Sequence, residues 1–262
     1  MLSNYTIREI IAERTKTVIQ RGIRNSDGQF VIIKRLKAEN PELKDIKRLQ
    51  NEYEISSSLN CNQIVKCYSL EADGNSFALI LEDFGGESLA EYISKNKLSL
   101  DDFFSIAISL ADTLAQLHSI PIIHKDIKPS NIIINPKTKE VKLTDFNIAT
   151  RSAFEYPTLQ GSHNIAGTYL YMSPEQTGRM NRYLDHRSDL YSLGVTFYEM
   201  LTGQLPFISN DPLELIHAHL AVSPIPPHHR CPSIPIGVSQ LVLRLLAKKA
   251  EDGYQTAEGL KF

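Results

Sequence analysis

Along the first third of the chain, apolar positions alternate with polar ones, the period of two that puts apolar side chains on one face of a strand. The segments are "YTIREIIA" from Tyr5, "TVIQRGI" from Thr17, "FVIIKRL" from Phe30, "IVKCYSL" from Ile64 and "FALILE" from Phe77. Turn residues separate them: "NSDG" stands between the second and third, and "DGN" between the last two. Such residues tolerate the left-handed backbone of a hairpin. One stretch breaks the alternation. From about Pro41 to Leu59 the period is helical, with Leu49, Ile55 and Leu59 on one face and Glu52 in its middle. A carboxylate on an apolar helix face requires a cation, because an unpaired buried charge is costly.

After "EDFGG" the helical period takes over, in "LDDFFSIAISLADTLAQLHS" and in the almost wholly apolar "DLYSLGVTFYEMLTG", where Gly203 is a fitting C-terminal stop. The change of period near Phe84 to Gly86 predicts a β-rich lobe over 1–84 and a helical lobe over 85–262. "SPIPPHHRCPSIP" is expected to be an ordered loop between helices, and there are no internal repeats.

The stretch "PIIHKDIKPSNIII", residues 121–134, sets charged and amide side chains between two isoleucine patches. Polar groups pinned this closely to a core are costly unless something uses them. Ile132–Ile134 and Val141–Thr144 form a predicted hairpin joined by "NPKTKE", so Asn131 and Asp145 emerge at the same open end. An amide and a carboxylate side by side suit Mg2+, which takes a few oxygen ligands and shares phosphate oxygens. Asp126 lies close enough in sequence to orient a hydroxyl nucleophile, and Lys128 adds charge where a transferred phosphoryl group needs neutralising. Far upstream, Lys34 closes the apolar run "FVIIK" and is the obvious mate for Glu52. A strand lysine held by a helix glutamate positions a cation over the α- and β-phosphates of ATP.

Composition narrows the choice. Lys and Arg number 28 against 30 Asp and Glu, a balance that gives no electrostatic reason to expect a nucleic acid or an anionic membrane as partner. Three cysteines in no ligand spacing fit a reducing compartment. No apolar run approaches the ~20 residues that span a bilayer, and "MLSNYTIREI" lacks a signal-peptide pattern. The expectation is a soluble, cytoplasmic protein.

Taken together, "FVIIK", Glu52, "HKDIKPSN", "DFN", "GTYLYMSPE" and "DHRSDLYSLG" resemble a eukaryotic-type serine/threonine protein kinase domain over nearly the whole chain. The resemblance implies an α+β, two-lobed kinase-like fold, with a small antiparallel sheet and one helix above a larger, mainly helical lobe. It implies ATP and Mg2+ as cofactors and a protein substrate with a Ser or Thr acceptor. By the same resemblance Lys34 meets the phosphates, Glu52 orients it, Asp126 is the catalytic base, Asn131 and Asp145 hold the metal, and Lys128 steadies the γ-phosphate. Glu82 and Phe84 at the lobe junction join the cofactor-binding set. His124 is expected to support the Asp145 turn structurally, and Thr168 to sit in the substrate-facing loop. A small-molecule phosphotransferase would not need "GTYLYMSPE".

Four departures from the family pattern stand out. With Val18 aligned, Ile11, Glu13 and Lys16 occupy the positions of the glycines that roof the phosphates. Of the tip residues Arg14, Thr15 and Lys16, Lys16 is expected to restore a phosphate contact. Lys125 stands for the usual Arg before Asp126, which weakens the case for regulation by loop phosphorylation. Asn147 replaces the glycine of the metal motif as a residue that tolerates left-handed backbone. Gly253 takes the place of an Arg that pairs with Glu175, leaving Glu175 without that partner. The roof and Gly253 keep a pseudokinase, a nucleotide-binding or interaction scaffold, as the alternative. The segment "SPEQTGRMNR" resembles kinase modules that open long bacterial signalling proteins, and "GLKF" ends within a helical pattern, so further domains of a longer polypeptide are expected beside this one.

Overall fold

The computed structural model describes residues 2–156, 169–180 and 182–261. Its N-terminal part is a five-stranded antiparallel sheet, in order β1-β2-β3-β5-β4. The elements are β1 (Tyr5–Glu13), β2 (Thr17–Arg24), β3 (Phe30–Leu36), the helix α1 (Leu43–Ser56), β4 (Cys67–Asp73) and β5 (Ser76–Glu82). Alternation assigns the faces. Val31, Ile33, Ala78 and Ile80 pack together on one side, and Leu79 and Leu81 meet Leu49 of α1 on the other. Lys34 falls on the α1 side by the same parity and is buried.

Two expectations change here. The helix ends at Ser56, short of Leu59, where the serine run supplies hydroxyls that compete for the last carbonyls, as Ser58 Oγ does by donating to Ile55 O at 2.6 Å. Residues 64–66 do not belong to β4. Ile64 and Val65 turn to the other lobe, with Val65 N donating to Leu143 O at 3.0 Å, while Lys66 O still accepts from Glu82 N at 2.9 Å.

The larger lobe begins with β6 (Glu87–Ser88), α2 (Leu89–Lys95) and α3 (Leu100–Ser119). It continues with β7 (Ile122–Ile123), β8 (Ile132–Ile134), β9 (Val141–Leu143) and β10 (Thr150–Arg151), then α4 (Arg187–Thr202), α5 (Pro212–Ala221), α6 (Pro227–Arg230) and α7 (Ile236–Leu245). One core unites the inward faces of α3, α4 and α7, with Phe103, Leu110, Phe197 and Val242 among its members. Gly194 lets α4 approach α7, since a Cβ there would lie 2.6 Å from Leu245 Cβ. Gly203 closes α4 with φ of 68°, as a stop glycine should. The proline-rich segment 223–235 carries a turn of helix, α6, because Pro227 at its first position presets φ.

Cys61, Cys67 and Cys231 are free and half-buried. Among the described residues, no helix is long and apolar enough to cross a membrane.

Candidate active site

The hairpin of β8 and β9 pairs Ile132 with Leu143, and Thr144 N donates to Asn131 O at 3.0 Å. Asn131 and Asp145 therefore leave the two strands at one end, as their spacing requires. Asp145 has φ of 71°. The left-handed residue of the "DFN" turn is thus the aspartate itself, and Asn147 is not left-handed. Asn147 has a different use: its Nδ2 donates to Asp145 Oδ1 at 2.5 Å.

Lys34 reaches this turn from β3. Its Nζ lies 2.6 Å from Glu52 Oε2 and 2.8 Å from Asp145 Oδ1, and all three side chains are buried. One ammonium between two carboxylates cannot neutralise both. Burial would raise the Asp145 pKa, but Lys34 and Arg14 hold it well below the ordinary carboxylate range. Glu52 is left with the deficit: burial and the negative charge of Asp145 outweigh Lys34 and push it up to about 7. Burial opposes the Lys34 ammonium, yet its two anionic partners keep its pKa above the usual value.

The sign of the resulting pH dependence is set by Glu52. Between its ordinary 4.5 and about 7 the folded chain holds a proton that the unfolded chain has released. Stability therefore falls as pH rises through that window. Melts of nucleotide-free protein at pH 5, 6 and 7 should show Glu52→Gln gaining on the wild type as pH rises, by no more than about 1.4 kcal/mol per pH unit. A constant difference between the two proteins would overturn the assignment.

Asp126 is held by its neighbours. Lys128 Nζ lies 2.7 Å from its Oδ2, and Asn131 Nδ2 donates to its Oδ2 at 2.8 Å and to its backbone oxygen at 2.9 Å. With its amide nitrogen so committed, Asn131 turns its Oδ1 elsewhere, and among the described residues no donor reaches that buried oxygen. A buried acceptor without a donor among the protein groups can take a cation or a water. No group of three or more His, Cys, Asp or Glu side chains among the described residues could hold an ion alone. The donor set fits Mg2+, whose remaining ligands are ordinarily phosphate oxygens and water.

Behind the loop stands Asp189, buried on α4. It accepts from His124 N at 2.9 Å and Lys125 N at 2.8 Å, and lies 3.1 Å from His118 Nε2. These bonds secure Lys125 in its left-handed conformation, φ of 67°. His124 is fully buried and burial lowers its pKa. Its Nδ1 accepts from Asp126 N, so its Nε2 carries the proton that faces Thr144 O at 3.1 Å. The ring supports the Asp145 turn from below. Lys125 Nζ meets Glu155 Oε2 at 2.7 Å, so a carboxylate of this chain already answers that cation.

Other predicted residues are placed differently. Lys16, expected at a phosphate, lies against α1, 2.6 Å from Asp45 Oδ2 and 3.7 Å from Glu42. Arg14 crosses the cleft instead, with Nη1 2.9 Å from Asp145 Oδ2 and Nη2 3.1 Å from Ser130 O. The side chains of Glu82 and Phe84 are taken up by Lys142, 2.8 Å from Glu82 Oε2 and 4.8 Å above the Phe84 ring. Part of their main chain is engaged as well: Glu82 N donates to Lys66 O at 2.9 Å, and Phe84 O accepts from Asn135 Nδ2 at 2.6 Å. Thr168 lies outside the described residues.

Sequence reasoning missed Asn51, whose Nδ2 donates to Phe146 O, Asn147 O and Ala149 O between 3.0 and 3.3 Å. It fastens α1 to the turn that follows Asp145. Its position next to Glu52 was the available signal.

Glu175 is not left alone by Gly253. Ser188 Oγ donates to it at 2.5 Å, and the hollow bounded by Glu175, Arg187, Tyr254 and Gly253 has a volume of about 20 Å³. That is room for about one water, so an arginine entering at Gly253 must force the hollow open and brings no gain in melting temperature. Ser188→Ala should cost about 1–3 kcal/mol by orphaning the carboxylate. A calorimetric melt would show a fall of several degrees, and an unchanged melting temperature would remove Ser188 as the partner.

A small sheet lobe, a helical lobe, and a lysine, two acids and an amide meeting between them define a phosphotransferase fold. The protein kinase domain family matches residues 5–257, and the chain belongs to that family. It is 31% identical over 260 residues to a probable serine/threonine-protein kinase of Clostridium acetobutylicum, covering 98% of this chain and 39% of that protein. It is 32% identical over 267 residues to the serine/threonine-protein kinase pkn3 of Myxococcus xanthus, covering 98% and 48%. The hybrid signal transduction histidine kinase G of Dictyostelium discoideum shares 34% over 233 residues, 63% of this chain and 7% of that protein. The chain thus spans less than half the length of these relatives.

Proposed function

We propose that the chain transfers the γ-phosphoryl group of ATP to a serine or threonine hydroxyl of a protein substrate. The observation that carries this reading is the exit of Asp145 and of Asn131, whose Oδ1 has no donor among the described residues, at one end of the β8–β9 hairpin, beside an Asp126 carboxylate held by Lys128. Lys34, oriented by Glu52, binds phosphate oxygens. Asp126 accepts the proton of the acceptor hydroxyl as its oxygen bonds to phosphorus and ADP leaves. Lys128, now 2.7 Å from Asp126, offsets charge on the transferred group. Asn131 and Asp145 hold Mg2+, which when bound supplies charge neutralisation for the phosphates. Glu82 and Phe84 bind nucleotide at the lobe junction through the main-chain atoms that Lys66 and Asn135 do not engage. The Lys125–Glu155 pair provides, without phosphorylation, the neutral catalytic-loop environment that a modified residue would otherwise give.

The partners are proteins bearing the acceptor, with other domains of a longer signalling polypeptide alongside. Hydropathy and charge favour a cytoplasmic setting with no nucleic acid or membrane partner. The test is phosphate transfer from labelled ATP by the purified chain to a serine- or threonine-bearing protein, followed by phosphoamino-acid analysis. Label on Ser or Thr supports the reading. A Mg-ATP thermal shift without any transfer points to the scaffold alternative, and label on a small molecule overturns the substrate class.

A further inference from the structure

The roof of this cleft lacks the small residues that would let backbone N–H groups close on phosphates. Glu13 is paired with Lys37 at 2.8 Å, Lys16 with Asp45, and Ile11 is exposed. Of the cations at the β1–β2 tip, Arg14 is the one whose charge enters the cleft. Its backbone is fixed, since Arg14 N donates to Thr17 O at 2.9 Å and closes the tip. Its guanidinium bridges Asp145 and the backbone of Ser130, residues far along the chain that flank the proposed metal and phosphate positions.

Each oxygen of Asp145 consequently carries a cation, Lys34 on Oδ1 and Arg14 on Oδ2. The two differ in mobility. Lys34 is 6% exposed and locked by Glu52, whereas Arg14 is 36% exposed at the end of a long stem. A divalent ion arriving at Asp145 displaces the looser monovalent one, because the carboxylate gains twice the opposing charge. A guanidinium freed from Asp145 stays near Ser130 on its stem from the closed tip, with N–H donors to offer terminal phosphate oxygens in a fork geometry that lysine cannot match.

Resting on the reading of the cleft as an ATP site, we propose that Arg14 is a dual-state residue of the roof. It occupies Asp145 in the empty enzyme and becomes the ligand of the β- and γ-phosphates once metal and nucleotide enter. It replaces with a side chain what the missing glycines would provide with backbone. Two effects of opposite sign follow. Arg14 competes with a metal that arrives alone, and assists a metal that arrives with a nucleoside triphosphate.

The experiment measures binding, not turnover. Mn2+ alone, as a probe of the metal position, is titrated by electron paramagnetic resonance. Mg-ATP, Mg-ADP and adenosine are titrated by calorimetry. The proteins are the wild type, Arg14→Ala, Arg14→Lys and a control of equal charge change at exposed Arg8, Arg8→Ala. Expected for Arg14→Ala are Mn2+ binding about three-fold tighter or more, Mg-ATP binding about ten-fold weaker or more, and adenosine binding within about two-fold of wild type. Arg14→Lys should recover part of the Mg-ATP affinity.

Unchanged Mn2+ affinity overturns the competition, and Mg-ATP affinity equal to that of Arg8→Ala overturns the phosphate contact. An adenosine loss as large as the ATP loss means that the tip merely shapes the roof, which also overturns the proposal. If the wild type binds Mg-ATP and shows these effects but transfers no phosphate, the kinase reading fails while Arg14 keeps its role. If the wild type binds no Mg-ATP at millimolar nucleotide, both fail.

Discussion

Asp126→Asn is expected to lower turnover by roughly 10²–10⁴-fold, the range that a positioned proton acceptor contributes, while Mg-ATP affinity changes little. The split follows from the contacts. Asp126 touches Lys128 and the Asn131 amide nitrogen, whereas Lys34 and Asp145 meet at the other side of the turn. An Asn side chain retains an oxygen for one of its present donors, so the loop keeps its shape. It cannot take up a proton, and it leaves the Lys128 ammonium without its counter-charge. Initial rates with labelled ATP, beside calorimetric binding of Mg-ATP, separate the two quantities. Turnover within a few-fold of the wild type would assign the proton acceptor to another group.

How far such roles were legible in the sequence varied with the kind of physics involved. Periodicity located the strands, because a side chain's face in a sheet is decided by parity alone. The burial of Lys34 and its meeting with Glu52 followed from that parity and from one helix face. The joint exit of Asn131 and Asp145 followed from hairpin register. Where a residue had a choice of partners, sequence was a poorer guide. Lys16 and Arg14 stand two places apart on one tip, and which of them enters the cleft depends on Asp45 lying within reach of the former. Nothing in the local pattern of "ERTKT" encodes that. The same holds for Glu175, whose donor Ser188 sits inside a helix that periodicity describes only as apolar.

Backbone conformation was a third kind of difficulty. The substitution of Asn147 for glycine suggested a left-handed position there, yet Asp145 carries it. Aspartate, like asparagine, tolerates this region better than most residues, and contacts to its side chain hold it there. Lys34, Arg14 and Asn147 all bond the Asp145 carboxylate. The backbone conformation and the charge cluster are one feature: the turn is bent by the same groups that keep its carboxylate ionised.

Asp145→Asn should accordingly do more than remove the proposed metal ligand. Mg2+-dependent ATP binding is expected to weaken by roughly 10²-fold or more, since one charge facing a cation at close range is worth about 4 kcal/mol at an effective dielectric of 20 and several contacts lose it together. Adenosine, which engages no metal, should bind as before. The empty protein changes too, in a direction that the network predicts. The negative charge of Asp145 helps raise the Glu52 pKa to about 7, so its removal lets Glu52 ionise nearer the ordinary value and pair fully with Lys34. The loss of stability between pH 5 and 7 should therefore flatten in Asp145→Asn even as metal binding is lost. Calorimetry with Mg-ATP and with adenosine, and melts across that pH range, read these three effects independently. Retained Mg2+ dependence would remove Asp145 from the metal site, and an undiminished pH slope would mean that Glu52 is raised by burial alone.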